Sequence, residues 1–424
     1  MASRFVSASQ PAIRFSLDLR WVVLVLLFMA IFAGCQGGRY YFANRLQEVG
    51  IASALGLFAL GAWRGLFQLS LNEWRRWVVA PVLLIGGIML VSSLVFAAQH
   101  EGRFLYSFFS AREFMLAFLG PGVYLLCRTG LPVADVQRVV WVTLLALMIN
   151  YLWFYTTIDL RAAFFSSDHT VSNLVTYDEW RGFRLKPPLF AIMVGLLAAL
   201  MLIARSRSFL VFVFALLVLG LASYIWSIVM FRSTLATMLL AMLIYPLFLR
   251  RVSRVGLVLV LSPLVLLSLP VMAGVALDTF LNSDGGSIRA RAFAAAFEYI
   301  SGHWLLGAGE DSAYGESYQD IIAPYFFPSD IGIVGTAFKY GIVGLALYLW
   351  MHAKIWTSLW RANITACDRY GRHDPLLWAL LIFMTAQTFN LLLNPGLAYA
   401  QGITLGALAL ALARFEIVET GQAK

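Results

Sequence analysis

Seven charged residues could bind an anion and activate a hydroxyl group. Six are basic and one is acidic: Arg181, Arg184, Lys186, Arg232, Arg289, Arg291 and Asp330. The arginine fork holds two oxygens of an anion at once and keeps its charge, which favours an anionic ligand. A well-placed carboxylate can take a proton from an attacking hydroxyl group. Such residues need a scaffold that brings them to one place.

The composition indicates that this scaffold lies in a membrane. Of the 424 residues, 61% are hydrophobic and 12% are charged, whereas soluble domains are about half apolar and a quarter charged. We therefore expect one polytopic membrane domain over residues 1–424. The net charge of +9 is explained by Lys and Arg in cytoplasmic loops, so we expect no nucleic-acid partner.

Apolar runs predict about twelve transmembrane helices, because about 20 apolar residues cross the hydrocarbon core. The predicted spans are 21–37, 50–71, 78–98, 113–127, 138–157, 187–204, 209–230, 233–249, 256–273, 331–353, 376–393 and 397–413. With both termini in the cytoplasm, every inside loop carries positive charge, as the positive-inside rule requires. The predicted fold class is an all-α integral membrane protein.

The same assignment puts the seven residues on the outer side of the membrane. They lie in an extracytoplasmic loop at 158–186, in the turn at Arg232, and in a large loop at 274–330. Cations on the translocated side oppose insertion, which indicates that a function requires them there. The alternative is that long loops tolerate charge freely, since the rule weakens for them.

Arg232 is the most isolated of these cations, because it stands between two apolar runs. An arginine there costs about 2.5–3.5 kcal/mol on insertion scales unless it faces water or an anion. The alternative is that its side chain extends to the membrane surface. Arg184 and Lys186 precede two prolines that suit a first helical turn, where the helix dipole favours an anion.

The segment 287–344 is the longest that cannot lie in a membrane. It begins with a helix predicted over 288–300, on which Arg289 and Arg291 are about 200° apart, so we expect only one of them at a site. The following LLGAGED is interpreted as a glycine turn packed against the helix, because its two acids would repel a phosphate. Asp330 is predicted to cap the next helix at its N-terminus.

No metal or cofactor site is expected. The three cysteines and five histidines are scattered along the chain without the spacing of metal ligands. The sequence also contains neither a nucleotide-binding loop nor a dinucleotide fingerprint.

Four features resemble the O-antigen ligase and repeat-unit polymerase family of bacterial membranes. Arg232-Ser-Thr resembles a Ser-Arg-Gly turn of the family. SIRARAFAAAFEYISGHWLLGAG resembles its arginine-led helix and glycine turn, with Arg289 at the leading position. Asp330 with TAFKYGIVGLALYL is similar to its re-entry helix. The fourth feature is a pair of arginine-to-glycine spacings, Arg184 eleven residues before Gly195 and Arg291 sixteen before Gly307.

The resemblance implies a GT-C-like glycosyltransferase of the bacterial inner membrane with a periplasmic active site. Its reaction would be the metal-independent, inverting polymerisation of undecaprenyl diphosphate-linked oligosaccharides into a surface polysaccharide. The expected partners are this substrate, membrane lipid and a chain-length regulator protein. Arg232 and Arg289 would be catalytic, and Asp330 is the candidate general base by its position and chemistry alone. Arg184, Arg291, Arg181 and Lys186 would bind the diphosphate or the glycan.

Two alternatives stay open. One is an O-antigen ligase that transfers finished glycan to the lipid A-core. It is less favoured, because the family's ligases have a histidine where this chain has Asp330. The other is a flippase or transporter of lipid-linked glycan, which predicts polar residues at the membrane midplane. The candidates for those are Arg64, Asn150 and Asn390.

Overall fold

The computed structural model describes ten stretches of the chain, and most of the residues in them are helical. The described residues are 17–41, 45–100, 103–178, 182–229, 232–244, 284–311, 317–371, 373–391, 394 and 396–421. The predicted span 256–273 and the candidate residue Arg181 therefore lie outside the described residues.

The helices follow one another along the whole described chain. Their bounds are α1 Leu17–Gly34, α2 Arg45–Gly65, α3 Leu71–Trp74, α4 Ala80–His100, α5 Phe104–Ser110, α6 Leu119–Arg128, α7 Val133–Thr157, α8 Leu160–Phe164, α9 His169–Ser172, α10 Leu189–Arg205, α11 Phe209–Val229, α12 Arg232–Ile244, α13 Asp284–Gly302, α14 Tyr318–Ile321, α15 Gly332–Tyr370, α16 Pro375–Asn390 and α17 Ala400–Gly421. A π-helical turn at Arg75–Val79 leads into α4. Short 3₁₀ segments lie at Gly37–Tyr40, Ala111–Phe118, Pro328–Ile331 and Gly396–Ala398.

Six helical segments of the described chain are long and apolar enough to cross a bilayer. They are Leu46–Gly65, Leu71–His100, Val133–Thr157, Phe209–Val229, Pro328–Tyr370 and Ala400–Val418. Four shorter apolar helices accompany them: Leu19–Gly34, Leu189–Arg205, Thr234–Ile244 and Pro375–Asn390. This composition is consistent with an all-α membrane protein.

Small residues allow the helices to pack closely, as is usual in membrane proteins. In α6, Gly120 faces the backbone of Ala407 in α17, and Gly122 faces the backbone of Phe58 in α2. An added Cβ atom would lie 2.7 Å from the carbonyl oxygen of Ala407 and 2.8 Å from the amide nitrogen of Phe58, respectively. The α6 helix is thus held between α2 and α17 by direct backbone approach.

The segment predicted as the outer loop 158–186 has regular structure of its own. After α8 and α9, strands β1 (Val175–Asp178) and β2 (Gly182–Leu185) pair antiparallel, with Thr176 opposite Arg184. Phe164, Tyr177 and Phe183 pack together with ring centroids 4.8–6.0 Å apart. Such an aromatic cluster gives the hairpin a small core.

The helix predicted over 288–300 is present as α13, and it is longer than expected. Its Ala292 and Ala296 are buried against Ile331 and Phe338 near the start of α15. The two alanines are four residues apart, so they lie on one face and let α13 approach closely.

The α15 helix is broken at Gly341, and the loop 304–309 fills the break. Gly341 has φ 62° and ψ −169°, which interrupts the helical hydrogen bonds. The amides of Ala308 and Gly309 donate to the carbonyls of Phe338 and Lys339 at 2.7 and 2.8 Å, and the amide of Ile342 donates to Trp304 at 2.8 Å. The sequence predicts that the glycine turn packs against the helix 288–300, whereas these backbone hydrogen bonds are made with α15, where they satisfy groups that the break leaves unpaired.

The prediction that Asp330 caps the next helix is wrong. The residue at the N-cap of α15 is Ile331, and no side chain caps this end. The chain first forms the 3₁₀ turn Pro328–Ile331, and the amide of Ile333 donates instead to the carbonyl of Leu391 at 2.9 Å. The Asp330 carboxylate accepts a bond from the Ser329 hydroxyl at 3.4 Å and is exposed.

Three Gly→Ala substitutions separate the two requirements at Gly341, which are a positive φ and space for a neighbouring backbone. Gly341→Ala should lower the free energy of unfolding by about 2–5 kcal/mol, because it adds backbone strain and overlap with the Leu305 carbonyl. Gly371→Ala shares the positive φ but has free space, so it should lose only about 1–2 kcal/mol. Gly220→Ala has neither problem and should gain up to about 1 kcal/mol.

Thermal unfolding of the purified variants in one detergent measures this order. Equal stability of the Gly341 and Gly371 variants would show that the loop does not fill the break tightly.

Candidate functional site

A polar site lies at one end of the helices, where the segments after α1, before α10 and before α15 meet. We call Arg39, Glu113, Lys186 and Asp330 the outer cluster, after the side of the membrane on which the topology predicted from the sequence places it. Arg39 is on the 3₁₀ turn after α1 and Lys186 directly follows β2. Both side chains are half-buried, whereas Asp330 is exposed.

Two adjacent residues of α7 hold the segments that carry the two cations. The Asn150 side-chain amide donates to the carbonyl of Gly37 at 2.7 Å, and the Tyr151 hydroxyl donates to the carbonyl of Leu185 at 3.2 Å. The two segments are also joined directly, because the Tyr40 hydroxyl donates to the carbonyl of Lys186 at 2.7 Å. The positions of Arg39 and Lys186 are thus coupled through the backbone.

The Arg39 guanidinium is oriented by neutral groups. Its Nη2 donates to the carbonyl of Asn173 at 3.1 Å and its Nη1 to the side chain of Gln36 at 3.4 Å. Gln36 has φ 63°, a left-handed conformation that non-glycine residues rarely adopt, and it also accepts a bond from Gln401 at 3.0 Å. A strained residue that orients a cation is typical of a functional site.

Neither cation of the outer cluster has a carboxylate within 4.0 Å among the described residues. Burial lowers the pKa of Lys186 below its ordinary 10.5, the charge of Arg39 lowers it further, and Asp330 opposes both effects. Burial also lowers the pKa of Arg39. Positive charge is therefore concentrated and incompletely neutralised here, so an anion bound between these groups would be stabilised.

The two acids of the cluster differ in their availability. Glu113 accepts bonds from the Gln47 side chain at 2.7 Å and from the amide of Ala400, at the start of α17, at 3.2 Å. It is thus used to satisfy a helix N-terminus. Among the described residues, the Asp330 carboxylate accepts a hydrogen bond only from the Ser329 hydroxyl, and an exposed carboxylate of this kind can serve as a general base.

Arg184 has a structural contact that its sequence did not show. Its side chain is 7% exposed, and Nη1 donates to the carbonyl of Val229 at 3.1 Å. Val229 is the last residue of α11, so Arg184 stabilises the carbonyl end of that helix. This bond fixes β2, and with it Lys186, relative to α11.

The remaining predicted site residues of the described chain lie on α12 and α13. Arg232 is the first residue of α12, and its side chain lies outside the described residues. Arg289 is half-buried one turn before Ala292 on α13, while Arg291 is exposed and its guanidinium lies 4.7 Å from the ring centre of Tyr325. The two arginines of α13 therefore differ in environment, as their angular separation predicts. The structure thus brings together Lys186 and Asp330 from the predicted set.

Sequence reasoning missed Arg39, although the signal was present. The predicted topology places residues 38–49 on the outer side, so Arg39 is one more cation on the translocated side. Only the fold shows that it lies beside Lys186, since 146 residues separate Tyr40 from the Lys186 carbonyl that it binds.

A second charged group stabilises the broken helix rather than a ligand. Lys339 lies 2.6 Å from a carboxylate oxygen of Glu310 and 3.1 Å from one of Asp311, and the Tyr340 hydroxyl also donates to Glu310. The sequence suggested that these two acids would repel an anion, but it did not show that Lys339 would neutralise them. The group joins the end of the loop 304–309 to α15 just before the break.

Comparison with known proteins adds no family assignment: no protein-family model and no curated protein matches this chain. The likeness to the ligases and polymerases therefore depends on the motifs described above.

Removing Lys339 should destabilise the protein far more than removing a cation whose carboxylate partner is exposed. Lys339→Met should cost about 3–5 kcal/mol, because it leaves two part-buried carboxylates without a counter-charge. Arg112→Gln is the matched control: it breaks an ion pair of 2.6 Å with the half-exposed Glu48 and should cost less than about 1 kcal/mol. Thermal unfolding measures both. Equal losses of stability would mean that the Lys339 group does not stabilise the packing of the loop 304–309 against α15.

Proposed function

We propose that this protein is a membrane glycosyltransferase that polymerises lipid diphosphate-linked oligosaccharide repeat units. The observation that supports this best is the pair of half-buried cations, Arg39 and Lys186, with no carboxylate within 4.0 Å among the described residues. Lys186 is also within electrostatic range of Asp330, an exposed carboxylate that can act as a base. The two cations would bind a diphosphate, and the nearby carboxylate would deprotonate an acceptor hydroxyl group.

In the proposed reaction, Arg39 and Lys186 hold the diphosphate of the donor. Asp330 removes the proton from the acceptor hydroxyl, whose oxygen forms a bond to the anomeric carbon. The bond between that carbon and the diphosphate oxygen breaks, and its electron pair leaves with the lipid diphosphate. The cations stabilise the charge that develops on this leaving group. Attack opposite to the diphosphate inverts the anomeric carbon.

The remaining predicted residues have supporting roles in this proposal. Arg232 and Arg289 would approach the donor from α12 and α13, and Arg181 and Arg291 would contact the glycan. Arg184 would act through β2, because its bond to Val229 helps to position Lys186. These roles assume the twelve-span topology, with both termini in the cytoplasm and the outer cluster on the periplasmic face of the inner membrane.

The transport alternative needs polar residues at the membrane midplane, and two of its three candidates make structural hydrogen bonds. The Arg64 side chain donates to the carbonyl of Thr129 at 3.3 Å, and Asn150 binds Gly37 and Tyr41. Polar residues on α15 and α16, such as His352 with Thr388 at 2.8 Å, bind one another across the helix seam. Bonds of this kind hold membrane helices together, so they support a scaffold more than a polar pathway.

The proposal predicts that the outer cluster is required for chain growth. With purified lipid diphosphate-linked oligosaccharide and EDTA, the wild-type protein should form ladders of repeats. Arg39→Gln should reduce the rate about 100-fold or more through loss of leaving-group stabilisation, and Asp330→Asn about 100- to 10,000-fold through loss of the base. Product length on gels measures both.

Arg161→Gln provides a matched control, because Arg161 is an exposed cation on the same predicted side. It should retain normal activity. Loss of ladders with EDTA alone would contradict the metal-independent mechanism. Substrate that reaches the other leaflet with its length unchanged would favour the transporter.

Binding should weaken at alkaline pH because of Lys186. Its charged form is disfavoured in the folded protein, so it loses its proton at a lower pH than the ordinary 10.5. Affinity for a polyprenyl diphosphate should therefore fall as pH rises through this lowered pKa, and Lys186→Arg should remove the fall. Equilibrium binding over the alkaline range measures this. The same decline in both proteins would mean that Lys186 does not contact the anion.

A further inference from the structure

A group of four cations lies at the opposite end of the helices from the outer cluster. Arg76 comes from the π-helical turn before α4, Lys354 and Arg361 from α15, and Arg414 from α17. Lys354 is within electrostatic range of all three arginines, and Arg414 is within range of Arg76 and Arg361. We call these four residues the inner basic cluster.

The described residues supply no acid to neutralise this cluster. None of the four cations has a carboxylate within 4.0 Å among them. Glu73, the acid on the turn before Arg76, is already used: it accepts bonds from Ser70 at 3.0 and 3.3 Å and pairs with Arg128 at 3.5 Å. The like charges therefore repel one another unless an anion from outside the protein is bound.

The depth and surroundings of the cluster fit a lipid headgroup. Lys354 lies 13 residues after the break at Gly341, or about 20 Å along the continuous second part of α15, so the cluster is well separated from the start of that helix. Lys354 and Arg414 are half-buried while Arg76 and Arg361 are exposed, so charge extends from the helix surfaces outward. Trp77 follows Arg76 in the chain and stacks on Tyr124, which is within electrostatic range of Arg76 and Arg414, with ring centroids 3.8 Å apart. Aromatic rings and cations together are typical of the membrane interface.

We infer that the inner basic cluster is a binding site for an anionic phospholipid of the cytoplasmic leaflet. The lipid phosphate lies among Arg414, Arg361 and Arg76, and the acyl chains lie along α15. The site is independent of the proposed reaction on the other face. The positive-inside rule explains why cations lie on this side, but it does not explain why four of them from three separate segments lie together.

Lipid binding to the purified protein in detergent tests this inference. Phosphatidylglycerol should raise the melting temperature with a saturable dependence on its concentration, whereas phosphatidylcholine and inorganic phosphate should not. Arg361→Gln and Arg414→Gln should each weaken the apparent affinity about fivefold, the effect of one cation near an anionic surface. Because Arg361 is exposed, its substitution leaves the packing intact.

Arg369→Gln is the matched control on the same helix, since Arg369 stacks on Tyr370 outside the cluster. It should bind phosphatidylglycerol as the wild type does. Native mass spectrometry of lipid retained by each variant checks the result without relying on stability. Equal losses in the Arg361, Arg414 and Arg369 variants would overturn the inference in favour of general surface charge. Stabilisation by inorganic phosphate alone would overturn it in favour of a simple anion site.

Discussion

The break in α15 at Gly341 is the constraint on which the outer half of the structure depends. A broken helix inside a membrane exposes backbone groups that each cost several kcal/mol if they stay unpaired. The loop 304–309 pairs with them on both sides of the break, and Lys339 with Glu310 and Asp311 fastens the end of the loop to the helix. The 3₁₀ turn that carries Asp330 lies at the start of this helix, so the position of Asp330 depends on the same contacts.

The partners of each cation distinguish a structural role from a ligand-binding role. Lys339 lies within 3.1 Å of two carboxylates, so its charge is neutralised within the protein. Arg39 is oriented instead by a carbonyl and a side-chain amide, and these fix its direction without neutralising it. Neutral partners of this kind pre-organise a cation for an anion that arrives later, without reorganisation at the moment of reaction. The same distinction would be invisible in a list of charged residues.

Periodicity and apolar run length predict much of the fold, because helices in a membrane are determined locally. The helix over 288–300 and most of the described apolar helices follow from these two properties. Asp330 shows the limit: a Pro-Ser-Asp sequence suits an N-cap, but the contact between Ile333 and Leu391 satisfies the helix start instead. Arg39 shows the same limit for the site. Its side of the membrane could be predicted, whereas its proximity to Lys186 depends on Tyr40 and α7.

The two ends of the helices carry positive charge in different surroundings. At one end of the helices, the four cations of the inner basic cluster lie near one another and no described carboxylate reaches them, which favours a resident anion that lowers their repulsion. At the other end, the two cations of the outer cluster are held by the fold and partly balanced by nearby but separate acids, Asp330 and Glu113. That balance suits a transient anion, since a site that bound diphosphate too strongly would retain the leaving group. The proposed lipid stays bound, whereas the proposed diphosphate must be released, so the two sites require different surroundings. The fold provides one such arrangement at each end of the helices.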